Sequence, residues 1–276
     1  MITTATTLAT VNATQPQAIE LPSGAIKIMR HLLADGDSNT KLRKSSGAGF
    51  ATVGLSMAPH KSAGVGNTCP HASAGCVAAC LNHQGRAAFW TAILEARQAR
   101  TLAYYHHREW FIARLRLELS RKLASAERQG LRLACRLNVF SDIAWEESGI
   151  IDDFPSIEFY DYSKNPKRAG LLRPNYWVTF SRSETNHADC LDVLASGANV
   201  AIAFDTGRTG NRVSMDANGA DLPKTWRGYR VIDGDTTDLR FDDPRGRKRG
   251  IVVGLRLKAA SRAERDGAIA SGFAIV

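Results

Sequence analysis

From Leu131 onward, short apolar runs alternate with segments long enough for a helix, and this alternation restricts the fold more than any other feature of the chain. Leu131–Val139, Ile157–Tyr162, Tyr176–Phe180, Asn199–Phe204, Tyr229–Ile232 and Ile251–Leu257 have the length and the β-branched or aromatic content of strands. Ile143–Ile151, Pro166–Leu171, Asn186–Ala195 and Ala259–Ala270 read as helical pieces between or after them. Strands separated by helices pair in parallel through right-handed crossovers. A further strand at Thr52–Met57 brings the number to about seven. The expectation is an α/β fold, a partial or full (β/α) barrel of mainly parallel strands.

The first half is less regular. Residues 1–24 are rich in Thr, Ala and Gln, residues 35–50 carry many turn formers, and residues 1–38 read as an extended or flexible arm. Residues 39–276 are expected to form one domain. Between Arg86 and Arg128 the apolar residues Phe89, Ile93 and Leu94, then Trp110, Phe111, Leu115 and Leu119, recur at helical spacing. Tyr104–Arg108 reads as a break between two helices, and Gly130 as the stop of the second. The start of the chain has no basic segment leading into an apolar run, and no stretch approaches the roughly 20 apolar residues of a membrane-spanning helix. A cytoplasmic protein with no membrane partner is expected.

Chemistry concentrates in one loop, Cys69-Pro-His-Ala-Ser-Ala-Gly-Cys76-Val-Ala-Ala-Cys80. Five cysteines are an odd number for a disulfide framework, and clustered thiols in a reducing compartment are more often metal ligands. The small residues between them let the backbone approach the sulfurs, and a helix expected just after Cys80 would turn its positive end toward an anionic centre. Three thiolates suit a [4Fe–4S] cluster that keeps one iron open, the arrangement radical S-adenosylmethionine enzymes need. Zinc is the alternative, with His71 or His83 as fourth ligand, and three buried thiols without metal is the plain one. Cys135 and Cys190 sit in apolar surroundings and read as core residues.

Polar residues recur where the strands end. Asn138, Ser141 and Asp142, then Asp161 and Lys164, then Ser181, Arg182, Ser183 and Glu184 would face the mouth of a barrel. Taken singly, each is better explained as a helix cap or a turn, and only their recurrence at several strand ends favours a site. Asp142, Asp161 and Glu184 are the candidate catalytic groups, and Asn138, Ser141, Ser181 and Arg182 the candidate cofactor contacts. The acidic run Asp233–Asp238 reads either as a cation loop or as a solvated turn. Arg245–Arg249 reads either as a phosphate contact or as a solvated loop tip. Lys and Arg number 36 against 27 Asp and Glu, a formal charge of +9 that favours a polyanionic partner such as nucleic acid.

The cysteine loop, Arg136–Asp142, Phe159–Lys164, Phe180–Glu184, Val231–Arg240 and Gly250–Leu255 together resemble the phage gene product 88 family of uncharacterised proteins, from about Asn39 to Lys258. More distantly, the cysteine loop with Asn138-Val-Phe-Ser-Asp142 and Val178-Thr-Phe-Ser181 is similar to the phage gene product 37 and 68 family, which looks like a radical S-adenosylmethionine protein. That resemblance implies a [4Fe–4S] cluster on Cys69, Cys76 and Cys80, S-adenosylmethionine as cofactor, and a barrel of radical S-adenosylmethionine type. A nucleic acid or nucleotide in the host cytoplasm would be the substrate. The spacing C-x6-C-x3-C departs from the usual C-x3-C-x2-C, and no Gly-Gly-Glu follows the second strand. A zinc-stabilised, non-enzymatic nucleic-acid-binding protein is the alternative function.

Overall fold

The computed structural model describes residues 13–36, 49–81, 90–171, 173–206, 222–244, 248–259 and 261–276. The chain divides into two compact units, Met1–Pro70 with Trp90–Phe159, and His71–Phe89 with Tyr160–Val276. No helix among the described residues is long and apolar enough to cross a membrane.

In the first unit, β1 (Gln17–Glu20) and β2 (Ile26–Met29) form an antiparallel hairpin. Its turn is closed by Leu21 N–H donating to Ala25 O at 2.9 Å, with Gly24 at φ +79° where a side chain would be strained. β3 (Leu33–Asp35) pairs antiparallel with β4 (Phe50–Leu55). β4 is buried along almost its whole length, the pattern of a parallel strand covered on both faces. A five-residue helix, α1 (Ala74–Ala78), belongs to the second unit. Back in the first, α2 (Thr91–His106) and α3 (Arg108–Arg128) meet at His107, whose φ of −131° and ψ of 49° lie outside the helical region. The break thus falls within the Tyr104–Arg108 segment read from the sequence. Gly130, at φ +68°, ends α3 and feeds β5 (Arg132–Arg136), which pairs in parallel with β4. After α4 (Ile150–Asp153), β6 (Ile157–Ser163) continues the parallel run beside β5.

In the second unit, β7 (Tyr176–Ser181), α5 (His187–Ala195) and β8 (Val200–Phe204) form a β/α/β unit with β7 and β8 parallel. β9 (Thr225–Trp226) is antiparallel to β10 (Tyr229–Asp233), which is parallel to β11 (Val252–Arg256). β11 lies parallel to β8, and α6 (Arg262–Ala270) follows it. Phe180, Cys190, Leu194, Val200, Ile202, Phe204 and Val252 make the core of this unit.

The strand order is β3-β4-β5-β6-β7-β8-β11-β10-β9, a nine-stranded, mostly parallel sheet. The strands expected from the sequence are β4 to β8, β10 and β11, and these carry the parallel pairings. A closed barrel is not detected among the described residues. Closure needs the first and last strands to pair, and among the described residues no pairing joins β3 to β9. Both outer strands are short and antiparallel to their neighbours, a common way of ending a sheet.

Residues 13–36, part of the segment read as an arm, carry three strands. They are held by an ion pair in the middle of α3, Arg114 Nε to Glu118 at 2.8 Å, with both side chains almost wholly buried. Glu118 accepts from the N–H groups of Leu32 and Leu33 at 2.9–3.0 Å. Arg114 donates to Ala13 O at 2.9 Å and to Arg30 O. Breaking a buried pair strands one charge. Glu118→Gln is therefore expected to cost about 3 kcal/mol in urea-induced unfolding, while Arg114→Met/Glu118→Met, which also leaves the backbone groups of Leu32, Leu33, Ala13 and Arg30 without these partners, costs more than the single change. A loss under about 1 kcal/mol for Glu118→Gln would show the pair to be dispensable.

The cysteine loop as the candidate functional site

The loop that leaves β4 is fixed in the first unit by hydrogen bonds to backbone groups. Thr68, fully buried, donates from Oγ1 to Ala58 O at 2.7 Å, and Thr68 O accepts from Asp142 N–H at 2.7 Å. Cys69 N–H donates to Asn67 Oδ1 at 2.9 Å, and the Cys69 thiol donates to Phe140 O at 3.4 Å. Gly66 sits at φ +53° with the Tyr105 ring where a β-carbon would stand, so a side chain there would strain the backbone and displace that ring. The segment that follows β5 therefore borders the start of the cysteine loop.

That segment is organised by Asn138. Its Oδ1 accepts from Ser141 Oγ at 2.8 Å, Ile143 N–H at 2.9 Å and Trp145 Nε1 at 3.2 Å, and its Nδ2 donates to Ile143 O at 2.9 Å. Asn138 and Ser141 are buried. Their side chains hold the turn that places Asp142, which is half-buried, beside Thr68.

In the second unit Cys76 rides on α1, a helical turn inside the loop, whereas the sequence placed a helix just after Cys80. Residues 82–89, with His83 and the expected helix start at Arg86, lie outside the described residues. A helix of five residues does not persist by itself. Ser73 caps α1, its Oγ accepting from Cys76 N–H at 3.2 Å. The Ser73 hydroxyl in turn donates to Glu184 Oε2 at 2.7 Å, and Gly75 N–H donates to Glu184 Oε1 at 2.7 Å. A β-carbon on Gly75 would stand 2.8–2.9 Å from the Glu184 carboxyl group, so glycine is what lets the carboxylate reach the backbone. Ala79 packs with Leu257, Ala268, Phe273 and Ala274.

Glu184 is itself well placed. Ser183 N–H donates to Asn186 Oδ1 at 2.6 Å, and Arg182 donates to Gly272 O and Phe273 O at 2.9 and 3.0 Å. Lys164 Nζ donates to Ser181 Oγ at 3.1 Å. Burial opposes the charged form of Glu184, but hydrogen bonds from Ser73 and Gly75, with Lys164 nearby, outweigh it and hold its pKa below the usual glutamate value. Burial lowers the pKa of Arg182, against the pull of Cys190 and Glu184.

The remaining candidates are placed otherwise. Asp161 is fully buried and accepts from the Tyr176 hydroxyl at 2.9 Å, which accepts from Arg168 at 2.6 Å. That is an interior network of the second unit. The acidic turn is not a solvated loop awaiting a cation. Asp233 takes Arg256 through both oxygens at 2.9 and 3.1 Å, and Asp235 accepts from Lys258 at 2.9 Å and from Arg256 N–H at 2.9 Å. Of the basic cluster, residues 245–247 lie outside the described residues, and Arg249 lies 4.2 Å over the Tyr229 ring. Cys135 and Cys190 are buried, and burial pushes the Cys190 thiol up to about 12. Cys69, Cys76 and Cys80 are half-buried and form no disulfide. Among the described residues, no group of three or more His, Cys, Asp or Glu side chains is gathered as a single metal ion would need.

A parallel α/β protein built around a strapped cysteine loop is the class that fold and loop define. The family model described as gene product 88 matches residues 31–272, and the chain belongs to the gene product 88 family. No curated protein matches the chain, and no solved structure does.

The depressed Glu184 pKa gives a pH dependence with a definite sign. Its contribution to ordering α1 is present above the unfolded value near 4.5 and is lost as pH falls through the lower folded value. Hydrogen exchange at the Gly75 amide should stay protected, relative to intrinsic rates, at neutral pH and lose that protection in acid below about 4.5. Glu184→Gln should show weak protection at every pH. Equal protection in both proteins would remove Glu184 from its anchoring role.

Proposed function

We propose that the protein is an iron–sulfur protein of radical S-adenosylmethionine type, with Cys69, Cys76 and Cys80 as ligands of a [4Fe–4S] cluster and a nucleic acid or nucleotide as substrate. The observation that carries this reading is the set of three half-buried cysteines, none in a disulfide, on the loop that follows β4, in contrast to the two cysteines sealed in the core. β4 opens a run of strands that neighbour one another in chain order as far as β8. Such single winding belongs to partial (β/α) barrels, whose ligands gather at the carboxyl ends of the strands.

The donor set fits a cluster by its chemistry. Thiolates are the ordinary protein ligands of iron–sulfur centres. When bound, the cluster would supply an electron and an open iron for the amine and carboxylate of S-adenosylmethionine. The chain's own part is to hold the loop. Asp142 N–H and Phe140 O fix its start, and Ser73 and Gly75, through Glu184, fix its helical turn. Glu184 is thereby a positioning residue in this reading. Asn138 and Ser141 shape the β5 exit, Ser181 and Arg182 shape the β7 exit, and the surplus of basic residues suits a polyanionic substrate.

The test is reductive cleavage of S-adenosylmethionine to methionine and 5′-deoxyadenosine by anaerobically reconstituted, dithionite-reduced protein, followed by chromatography. Release of 5′-deoxyadenosine is expected from the wild type and is expected to fall to background in Cys76→Ala. Iron-loaded protein that leaves S-adenosylmethionine intact would contradict the reading.

A further inference from the structure

Helix α2 reaches the carboxyl-terminal ends of β4 and β5 and brings two arginines there, three residues apart and so on one face. Ala58 N–H donates to Thr101 Oγ1 at 2.9 Å and to Arg97 O at 3.2 Å, which fixes the helix against the β4 exit. The Arg97 guanidinium carbon stands 4.0 Å from the centre of the Phe140 ring, on the segment that leaves β5.

Arg100 points at the same strand end. Its NH1 group donates to Ser56 O at 3.4 Å, a long bond, and this is its one hydrogen bond among the described residues. Its Nε is buried without a partner. Glu118 attracts it from a distance, but that carboxylate already accepts from Arg114, Leu32 N–H and Leu33 N–H. Burial holds the Arg100 pKa below the usual arginine value in spite of that attraction. Arg100 as a whole is half-buried, but a guanidinium with its Nε shut from water and one long hydrogen bond is costly, and polar groups left this way ask for a missing partner. The planar fork of arginine matches the oxygens of a phosphate group.

We propose that Arg97 and Arg100 form a phosphate-binding pair at the carboxyl-terminal end of β4. The positive charge of the chain points the same way, since it favours partners that carry phosphate. The pair lies wholly within the first unit and draws none of its charge from the cysteines, so it stands or falls apart from the cluster.

The experiment is thermal unfolding of the full chain in inorganic phosphate, with chloride at matched ionic strength as control. The wild-type midpoint should rise with phosphate, because a ligand that binds the folded state stabilises it by mass action. Arg100→Met keeps the apolar stem and removes the under-paired charge. It should melt no lower than wild type in chloride and lose the phosphate response. Arg100→Lys should weaken apparent phosphate binding about tenfold, since a point charge replaces a fork. If Arg100→Met does not fold, Arg97→Gln and Arg100→Lys carry the same comparison. A wild-type midpoint indifferent to phosphate, or a full response in the arginine variants, overturns the proposal. Adenosine monophosphate and a short single-stranded oligonucleotide, tried next, tell a nucleotide from a nucleic-acid backbone as the source of the phosphate.

Discussion

One carboxylate holds the helical turn that carries Cys76. Glu184 accepts from the Ser73 hydroxyl and from Gly75 N–H, both at 2.7 Å, and so takes up donors at the start of a helix too short to persist unaided. Negative charge at a helix start is also favoured by the backbone dipoles. The contact depends on glycine at position 75, because a β-carbon there would meet the carboxyl group. Without this contact the Ser73 cap and the Cys76 amide bonded to it lose their reference point, and any ligand held by the loop loses its geometry.

The same device recurs through the structure. Asn138 gathers Ser141, Ile143 and Trp145 around one amide, and the Arg114–Glu118 pair collects backbone groups from residues 13–33. Asp233 and Asp235 meet Arg256 and Lys258 where β10 and β11 end. In each case polar side chains satisfy groups in loops or at the ends of elements, as backbone shut away from water requires. Polar residues at strand ends here hold loops first, while the three cysteines of the loop after β4 remain half-buried.

What was legible in the sequence follows from local pattern. The parallel strands and the two long helices with their break were written in apolar runs and helical periodicity, which depend on neighbours a few residues away. β3 and β9, with three and two residues, are too short to leave such a pattern. The strands of residues 17–35 depend on Arg114 and Glu118, remote in the chain, and two charged residues on the inner face of α3 look in sequence like a solvated pair. For the site, the cysteines stood out by composition and the strand-end polar residues by position. The partner of Glu184 did not, because Ser73 lies 111 residues away. The Ser-Ala-Gly-Cys stretch was a readable signal for it, since a serine three residues before Cys76 is a capping pattern and glycine allows close approach. Arg100 left no trace at all, being one arginine among many until its buried, unpartnered Nε was seen.

The account rests on Cys69, Cys76 and Cys80 binding one inorganic centre, and metal analysis of anaerobically purified protein addresses that most directly. It predicts a brown protein with broad absorbance near 400 nm, about four irons and as many sulfides per chain, all lost when the three cysteines are replaced by alanine. A colourless protein holding one zinc, or no metal, with the same content after the cysteines are replaced, would contradict it.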